Sequence, residues 1–516
     1  MTQRPMVGVV GAGTMGAGIA QVAAAAGHRV LLMDARAGAA LQAHAGIDRA
    51  LSGLVTKQKM TAEARAALLS RIEPVDSFER FADAGLVVEA ILEQLEAKRI
   101  LFADLEKIVS AECILATNTS SLSITAIARD LEHPARFAGM HFFNPVPQMR
   151  LVEVVSGLAT SPSTVATIRQ LAQDWGKTPV LARSTPGFIV NRIARPFYAE
   201  ALALLNEQRA TAAQLDAAMR GAGFRMGPCE LMDLIGHDIN YAVTDSVFRA
   251  NYGDQRFQPS GIQRELVEGG LLGRKSSRGF YSYANNSPVV AATPTACDTQ
   301  DPEIAGTVIV CGSGAVPDGF ATLLRAAGVN CSRQHEGPSC GLVFTGQDGR
   351  ATSLWLTDGR PAGKRALAHA NPWQGVFDLP LKAGLDGALA VAFAQKVPAT
   401  ARRMVRATLA RAGIETFEIG DAPGLVVART IAMLINEAAD AVQQGVCSVE
   451  AANTAMRLGT NYPAGPFEWL AHLGSDYVIG LLDQLDAIYR GERYRVSPWL
   501  LERRWAEAAD TSSGAI

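Results

Sequence analysis

The sequence predicts an α/β doubly wound unit followed by an all-α unit, with the second half a degenerate repeat ending in another all-α unit. Three observations carry this. Apolar strand patterns alternate with helical ones through the first third of the chain, the signature of a parallel sheet. From Thr185-Pro-Gly onward the pattern changes to long helical runs. Ala422-Pro-Gly-Leu-Val-Val-Ala-Arg429 then repeats Thr185-Pro-Gly-Phe-Ile-Val-Asn-Arg192 at an offset of 237.

The elements follow in order. Met6-Val-Gly-Val-Val10 reads as a buried strand, Gly11–Ala26 as a small-residue helix, and Arg29–Met33 as a second strand ending in Asp34. Further strands are expected at Gly85–Val88, Cys113–Thr117 and Ala138–Phe142. Phe137–His141 and Leu151–Val155 read as short neighbouring strands joined by a Pro-rich turn. Helical runs at Arg192–Leu205 and Ala213–Arg220 open a second unit reaching about residue 283. Residues 285–303 are rich in Asn, Ser, Thr, Pro and Ala and read as a linker.

The repeat keeps its order. Asn436-Glu-Ala438 meets Ala199-Glu-Ala201, Ala455-Met-Arg457 meets Ala218-Met-Arg220, and Gly465-Pro-Phe-Glu468 meets Gly227-Pro-Cys-Glu230 after one inserted residue. Between the copies, Val308–Gly314 opens what reads as a worn-down nucleotide-binding fold. Its Gly312, Gly314 and Gly319 are wrongly spaced for a dinucleotide, and no counterpart of the His141 segment is apparent. The expected division is 1–184, 185–284, a linker 285–303, 304–411 and 412–516.

Composition excludes several classes. A length of 516 residues exceeds one ordinary core. A net charge of −2 provides no basic field for nucleic acid or an anionic membrane surface, and no apolar run is long enough to span a bilayer. Seven scattered cysteines without CxxC spacing point to reduced thiols, no metal site and a cytoplasmic protein. The short Met1–Pro5 lead into the first strand fits the absence of a signal peptide.

Gly11-Ala-Gly13-Thr14-Met15-Gly16 lies between a strand and a helix, the context that makes this spacing a dinucleotide fingerprint of the Rossmann type. Gly11 permits the turn, Gly13 lets backbone approach a pyrophosphate, and Gly16 lets helix pack on strand. Asp34 ends the second strand where a carboxylate binds ribose hydroxyls and repels a 2′-phosphate, which favours NAD over NADP. His141 and Glu153, on neighbouring strands, form a candidate oriented base: Glu153 accepts from one ring nitrogen and leaves the other free for a substrate proton. The competing reading is a satisfied core histidine.

Gly11-x-Gly13-x-x-Gly16, Asn118-Thr-Ser-Ser121, His141-Phe-Phe-Asn-Pro-Val-Pro147, Glu153, Pro186-Gly-Phe-Ile-Val-Asn191-Arg and Gly227-Pro-Cys-Glu230 together resemble the L-3-hydroxyacyl-CoA dehydrogenases. The duplicated helical segment is similar to the long form of that family, the phenylacetate-catabolism type that is 3-hydroxyadipyl-CoA dehydrogenase-like. The resemblance implies a CoA-thioester substrate, NAD, and β-oxidation chemistry. It makes His141 the base, Glu153 its orienting partner, Ser120 a donor to the reacting oxygen, and Asn191 a substrate-positioning residue. It assigns Asn118, Glu93 and Lys98 to the cofactor site, and Arg49 and Lys57, with Lys59 nearby, to the CoA phosphates. Taken singly, Ser120 and Asn118 equally suit the cap of a helix starting near Ser123, and Glu93–Lys98 a solvated helix pair.

In the second copy Ala428 stands in place of Asn191, so that copy is expected to keep packing and lose chemistry. Helical domains pair between subunits in short members of the family. The duplication therefore leaves a homo-oligomer and an intramolecular pseudo-dimer as the two arrangements. Two further functions compete: oxidation of a free hydroxy or sugar acid, as in lens-crystallin-like relatives, and a non-catalytic NAD-binding protein.

Overall fold

The computed structural model describes residues 4–284, 287–288, 303–335, 340–382 and 384–513. Nearly all of the expected linker, and Cys297 within it, lies outside them. The chain divides into two units, Met1–Arg192 with Ala441–Thr460, and Ile193–Asp440 with Asn461–Ile516.

The first unit is built on an eight-stranded sheet of β1 (Met6–Val10), β2 (Val30–Met33), β3 (Ile72–Val75), β4 (Ala84–Glu89), β5 (Ile114–Thr117), β6 (Phe137–Phe142), β7 (Leu151–Ser156) and β8 (Thr178–Arg183). Their order is 3-2-1-4-5-6-7-8, and every neighbouring pair is parallel except β6 with β7. Inner strands β2, β5 and β6 are buried at every residue, as a sheet covered on both faces requires. Chain order reverses between β1 and β4, the switch point where doubly wound sheets bind ligands. Helix α1 (Thr14–Ala25) starts there. β3 and β8 were not foreseen from the sequence. Both are edge strands carrying a proline, Pro74 and Pro179, and both mix apolar with polar residues.

Part of the second helical copy belongs to this unit. Arg183 N–H on edge strand β8 donates to Val446 O at 2.9 Å, and Arg192 Nη1 donates to Gln444 Oε1 at 2.8 Å. A Cβ on Gly459 would stand 2.8 Å from Leu151 Cδ2 and 3.0 Å from Val190 Cγ2, so helix Val449–Gly459 needs a glycine there to pack this closely.

The second unit holds the first helical copy from Arg195–Asn206 onward, the rest of the second copy, and a seven-stranded sheet. The sheet order is Cys331–Gln334, Thr307–Cys311, Gly341–Thr345, Ala351–Leu356, Gln374–Phe377, Leu389–Phe393, Thr416–Glu418. Gly341–Thr345 runs antiparallel to both Thr307–Cys311 and Ala351–Leu356, which makes this sheet mixed, while Thr307–Cys311 stays parallel to Cys331–Gln334. The expected boundary at residue 411 is corrected: Thr416–Glu418 is still a strand of this sheet. Three residues after a glycine turn are too short a run to announce a strand.

The expectation that the second half lacks a counterpart of the His141 segment is also corrected. Its last three strands repeat the register of β6–β7–β8. Met140 pairs with Val154 and, 237 residues on, Phe377 pairs with Val391; Glu153 pairs with Val180, and Ala390 with Phe417. The backbone persisted while the side chains that made it recognisable changed.

The two helical copies meet inside this unit through reciprocal contacts. Arg493 of the second copy bonds Glu200 of the first at 2.8 Å, and Arg256 of the first reaches Glu437 of the second at 3.4 Å, the same pair with the copies exchanged. Buried Arg429 donates to Glu200 Oε2 at 2.5 Å and lies 3.4 Å from Glu207, the counterparts of Glu437 and Gln444. Burial works to raise the Glu200 pKa, but Arg493 and Arg429 outweigh it and hold it below the ordinary value. Gly420 N–H donates to Arg209 O at 2.7 Å, repeating the Arg183–Val446 bond of the first unit.

Candidate active site

β6 and β7 pair antiparallel with His141 directly opposite Glu153. That register puts both side chains on one face, and Nδ1–H of His141 donates to Glu153 Oε2 at 2.5 Å. Glu153 is fully buried and His141 is 6% exposed. The other Glu153 oxygen accepts from the backbone N–H groups of Ile189 (3.0 Å) and Val190 (2.9 Å), at the start of helix Val190–Ile193. The carboxylate is thus fixed on one side by a helix start and aimed at the imidazole on the other. Nε2 has no protein partner among the described residues. Phe143 and Phe188 flank the ring at 4.5 and 5.9 Å between centroids.

Asn191 follows Val190 in that same helix, and its Nδ2 donates to Ser120 O at 3.3 Å. Four sequence-predicted residues, His141, Glu153, Ser120 and Asn191, therefore fall into one bonded constellation. Ser123, by its own hydroxyl, caps helix Ile124–Ile127, so that cap does not occupy Ser120 or Asn118. Asn118 instead ties β5 to β6: its Oδ1 accepts from Phe142 N–H at 2.8 Å, one residue beyond the histidine.

Glu93 and Lys98 are not a solvated pair. Lys98 is 1% exposed and donates to Glu89 at 2.5 Å, with Glu93 at 3.3 Å. Glu93 Oε1 accepts from Thr119 Oγ1 (2.6 Å), from Ser120 N–H (2.9 Å) and, more weakly, from the Ser120 hydroxyl (3.3 Å). Burial works to raise the Glu93 pKa, but Lys98 and these donors bring it below the ordinary value. Sequence reading missed Glu89, whose other oxygen accepts from Thr117 Oγ1 at 2.6 Å. Its signal was a carboxylate closing the otherwise apolar strand Ala84–Glu89.

The glycine turn fits a dinucleotide. Gly11 has φ +103°, and a Cβ on Gly16 would lie 1.7 Å from Gly11 O, so neither position admits a side chain. A Cβ on Gly13 would meet nothing within 4 Å, and α1 starts there without a side-chain cap. Thr14 is exposed and Met15 half-buried at this helix start, leaving its N–H groups toward the open side. Asp34 accepts from Ala12 N–H at 2.8 Å and from Arg36 N–H at 2.9 Å. Burial works to raise its pKa, but those bonds and the Arg36 guanidinium hold it below the usual carboxylate value. Arg49, Lys57 and Lys59 lie on or just after helix Ala39–Thr56, exposed, and none has an ion-pair partner among the described residues.

The family model described as the 3-hydroxyacyl-CoA dehydrogenase NAD binding domain matches residues 6–185, and the C-terminal domain of the same family matches twice, at 187–283 and 424–515. The chain belongs to the 3-hydroxyacyl-CoA dehydrogenase family. It is an NAD-dependent oxidoreductase. Residues 354–423 match the reduced Rossmann-fold domain of 3-hydroxybutyryl-CoA dehydrogenase, which fits the mixed second sheet. The chain is 44% identical, over 97% of its length and 98% of the relative's, to a 3-hydroxyadipyl-CoA dehydrogenase of Escherichia coli. It is 42% identical over 285 residues, 54% of this chain and 90% of the relative, to the mitochondrial hydroxyacyl-coenzyme A dehydrogenase of Rattus norvegicus. A crystal structure of 3-hydroxybutyryl-CoA dehydrogenase from Escherichia coli matches with a TM-score of 0.86 at 43% identity, over 98% of this chain and 99% of that one. These relatives do not favour a free sugar-acid dehydrogenase or a non-catalytic NAD-binding protein.

In the second half, Asp378 occupies the place of His141, and Ala390 that of Glu153. Asp378 accepts from Val426, Val427 and Ala428 N–H at 2.9, 2.7 and 3.0 Å, capping the helix start that Glu153 caps in the first half. The helix-capping half of the pair is found there on the other strand, and no histidine stands opposite it. Among the described residues no group of His, Cys, Asp and Glu could hold a metal ion, and no helix is long and apolar enough to cross a membrane.

Proposed function

We propose that this protein oxidises an L-3-hydroxyacyl-CoA to the 3-oxoacyl-CoA with NAD, using His141 as general base. The carrying observation is the His141–Glu153 pair, with Nδ1 committed and Nε2 free. Bound NAD supplies the acceptor for the hydride leaving C3. Nε2 takes the proton of the 3-hydroxyl, and Glu153 stabilises the positive charge that appears on the ring. Glu93 and Asn191 hold the backbone of Ser120, which supports a role for its hydroxyl as donor to the reacting oxygen. The Glu89–Lys98–Glu93 chain, buried at Glu89 and Lys98, supports that loop, and Asn118 supports the strand end carrying His141.

The exposed cations Arg49 and Lys57 suit the CoA phosphates, with Lys59 beside them. The nearly full-length relative named for 3-hydroxyadipyl-CoA makes a dicarboxylic acyl chain the best candidate substrate. The reciprocal pairs Glu200–Arg493 and Arg256–Glu437 support an intramolecular pseudo-dimer of the helical copies. Unpaired cysteines fit a reducing compartment such as the cytoplasm.

Initial rates with NAD on 3-hydroxybutyryl-CoA, 3-hydroxyadipyl-CoA and the corresponding free hydroxy acids test the reading. Turnover of the thioesters at least a hundredfold above the free acids is expected; preference for a free acid would overturn it.

A further inference from the structure

Arg195 is a buried charge without a counterion. It is 5% exposed, its Nη1 donates to Thr244 Oγ1 at 3.0 Å, and its guanidinium lies 4.9 Å from the centre of the Tyr198 ring. Its buried Nε has no hydrogen-bond partner, and no carboxylate lies within ion-pair distance among the described residues. Burial lowers its pKa, yet a guanidinium stays protonated in proteins. Leaving such a group buried and uncompensated is costly, so its persistence asks for a partner.

The surroundings describe that partner. Arg195 lines a cavity of about 250 Å³ within the second unit, together with Asn206, Thr244, Gln263 and Arg493. No Asp or Glu lines it. Arg493 is already bonded to Glu200 at 2.8 Å, so the charge left over is that of Arg195. Tyr198 and Leu202 supply apolar wall beside the polar groups.

The internal repeat argues against a purely structural arginine. Ala432 stands 237 residues on and is buried at 2% exposure in helix Val427–Gln443. The same helix therefore forms and packs without a guanidinium. Asn191, four residues earlier in the chain, is replaced in the same way by Ala428. Both polar residues belong to the copy that kept its chemistry.

We propose that the Arg195 cavity binds an aliphatic carboxylate. The guanidinium would take the carboxylate oxygens in a charge-assisted pair, while Thr244, Asn206 and Gln263 complete the polar wall. The carboxylate is that of a free acid, so the proposal stands independently of the dehydrogenase function proposed above.

The test is titration of adipate against thermal unfolding of the full-length protein, as wild type, Arg195→Met and Arg195→Lys. Adipate is expected to raise the wild-type melting temperature, with an apparent affinity weakened about tenfold to a hundredfold in Arg195→Met, the scale of a lost charge-assisted pair. Arg195→Lys, which keeps charge and stem, should retain part of that response. A wild type that adipate does not stabilise, or an equal response in Arg195→Met, overturns the proposal. If Arg195→Met does not fold, the comparison rests on Arg195→Lys, and an unaltered adipate response there again overturns it. Should the wild type oxidise no 3-hydroxyacyl-CoA, the dehydrogenase reading fails by itself, and the adipate titration still decides this site.

Discussion

Asp378 occupies in the second half the strand position that His141 occupies in the first, and it caps the helix start that in the first half belongs to Glu153. Of the dyad's two contacts, one to a helix start and one to an imidazole, only the first has a counterpart in the second half.

The Asp378 carboxylate therefore carries stability. Asp378→Ala leaves the buried N–H groups of Val426, Val427 and Ala428 unsatisfied, an expected loss of about 2–4 kcal/mol by chemical denaturation. A loss under about 0.5 kcal/mol, the range of a neutral surface change, would contradict this role. Burial pushes the Asp378 pKa up to about 6 from 3.8, against the pull of its backbone donors. The folded state thus keeps the proton longer than the unfolded chain. The Asp378 contribution falls as pH rises from 3.8 to about 6 and is flat above, a slope that Asp378→Asn should remove.

Lys177 behaves in the opposite sense. It donates to Val146 O at 2.5 Å and Met149 O at 2.8 Å, holding the turn after the His141 strand, and burial lowers its pKa to about 8 from 10.5. Between these values the unfolded chain holds the proton and the folded state does not. The Lys177 contribution to stability is therefore least below about 8 and rises toward pH 10.5. Melting temperatures of wild type and Lys177→Met across that window should diverge with rising pH in favour of the wild type. Parallel curves would contradict the assignment.

Glu153→Gln separates orientation from bulk packing. The amide cannot accept from Nδ1–H of His141 while turning its NH₂ toward the ring, so it favours the tautomer whose Nε2 carries the hydrogen. A fall in kcat of about 10²- to 10⁴-fold is expected, with KM for NAD changed less than about threefold. Equal losses in kcat and in NAD affinity would point to collapse of the strand pair instead.

Asp34 should set cofactor choice. Asp34→Ala removes the acceptor of Ala12 N–H and frees Arg36, whose Nε lies 3.2 Å from the carboxylate. The ratio of kcat/KM for NAD over NADP is expected to drop by about tenfold or more. A ratio unchanged by the substitution would place discrimination elsewhere.

Much of this was legible in the sequence where chemistry coincides with a local pattern. The glycine turn, Asp34 at a strand end, and His141 and Glu153 on short apolar strands all announce themselves within a few residues. What stayed hidden depends on distant partners. Glu89 reads as the end of a strand until Lys98 and Thr117 are seen on it. Arg195 reads as one of many helical arginines until its cavity shows no acid. The second dyad position was overlooked because His became Asp and Glu became Ala, which erased the motif while leaving the register intact. Edge strands β3 and β8 escape sequence reading because each carries a proline and mixes apolar with polar residues.

The central claim is that one base, His141, serves the whole chain. The direct test is single-turnover NADH formation by His141→Ala on 3-hydroxybutyryl-CoA, with NAD affinity measured in parallel by titration. The account predicts a rate at least about 10³-fold below wild type with NAD affinity within about threefold, since only the proton acceptor is removed. A rate within about tenfold of wild type, with NAD bound normally, would contradict it.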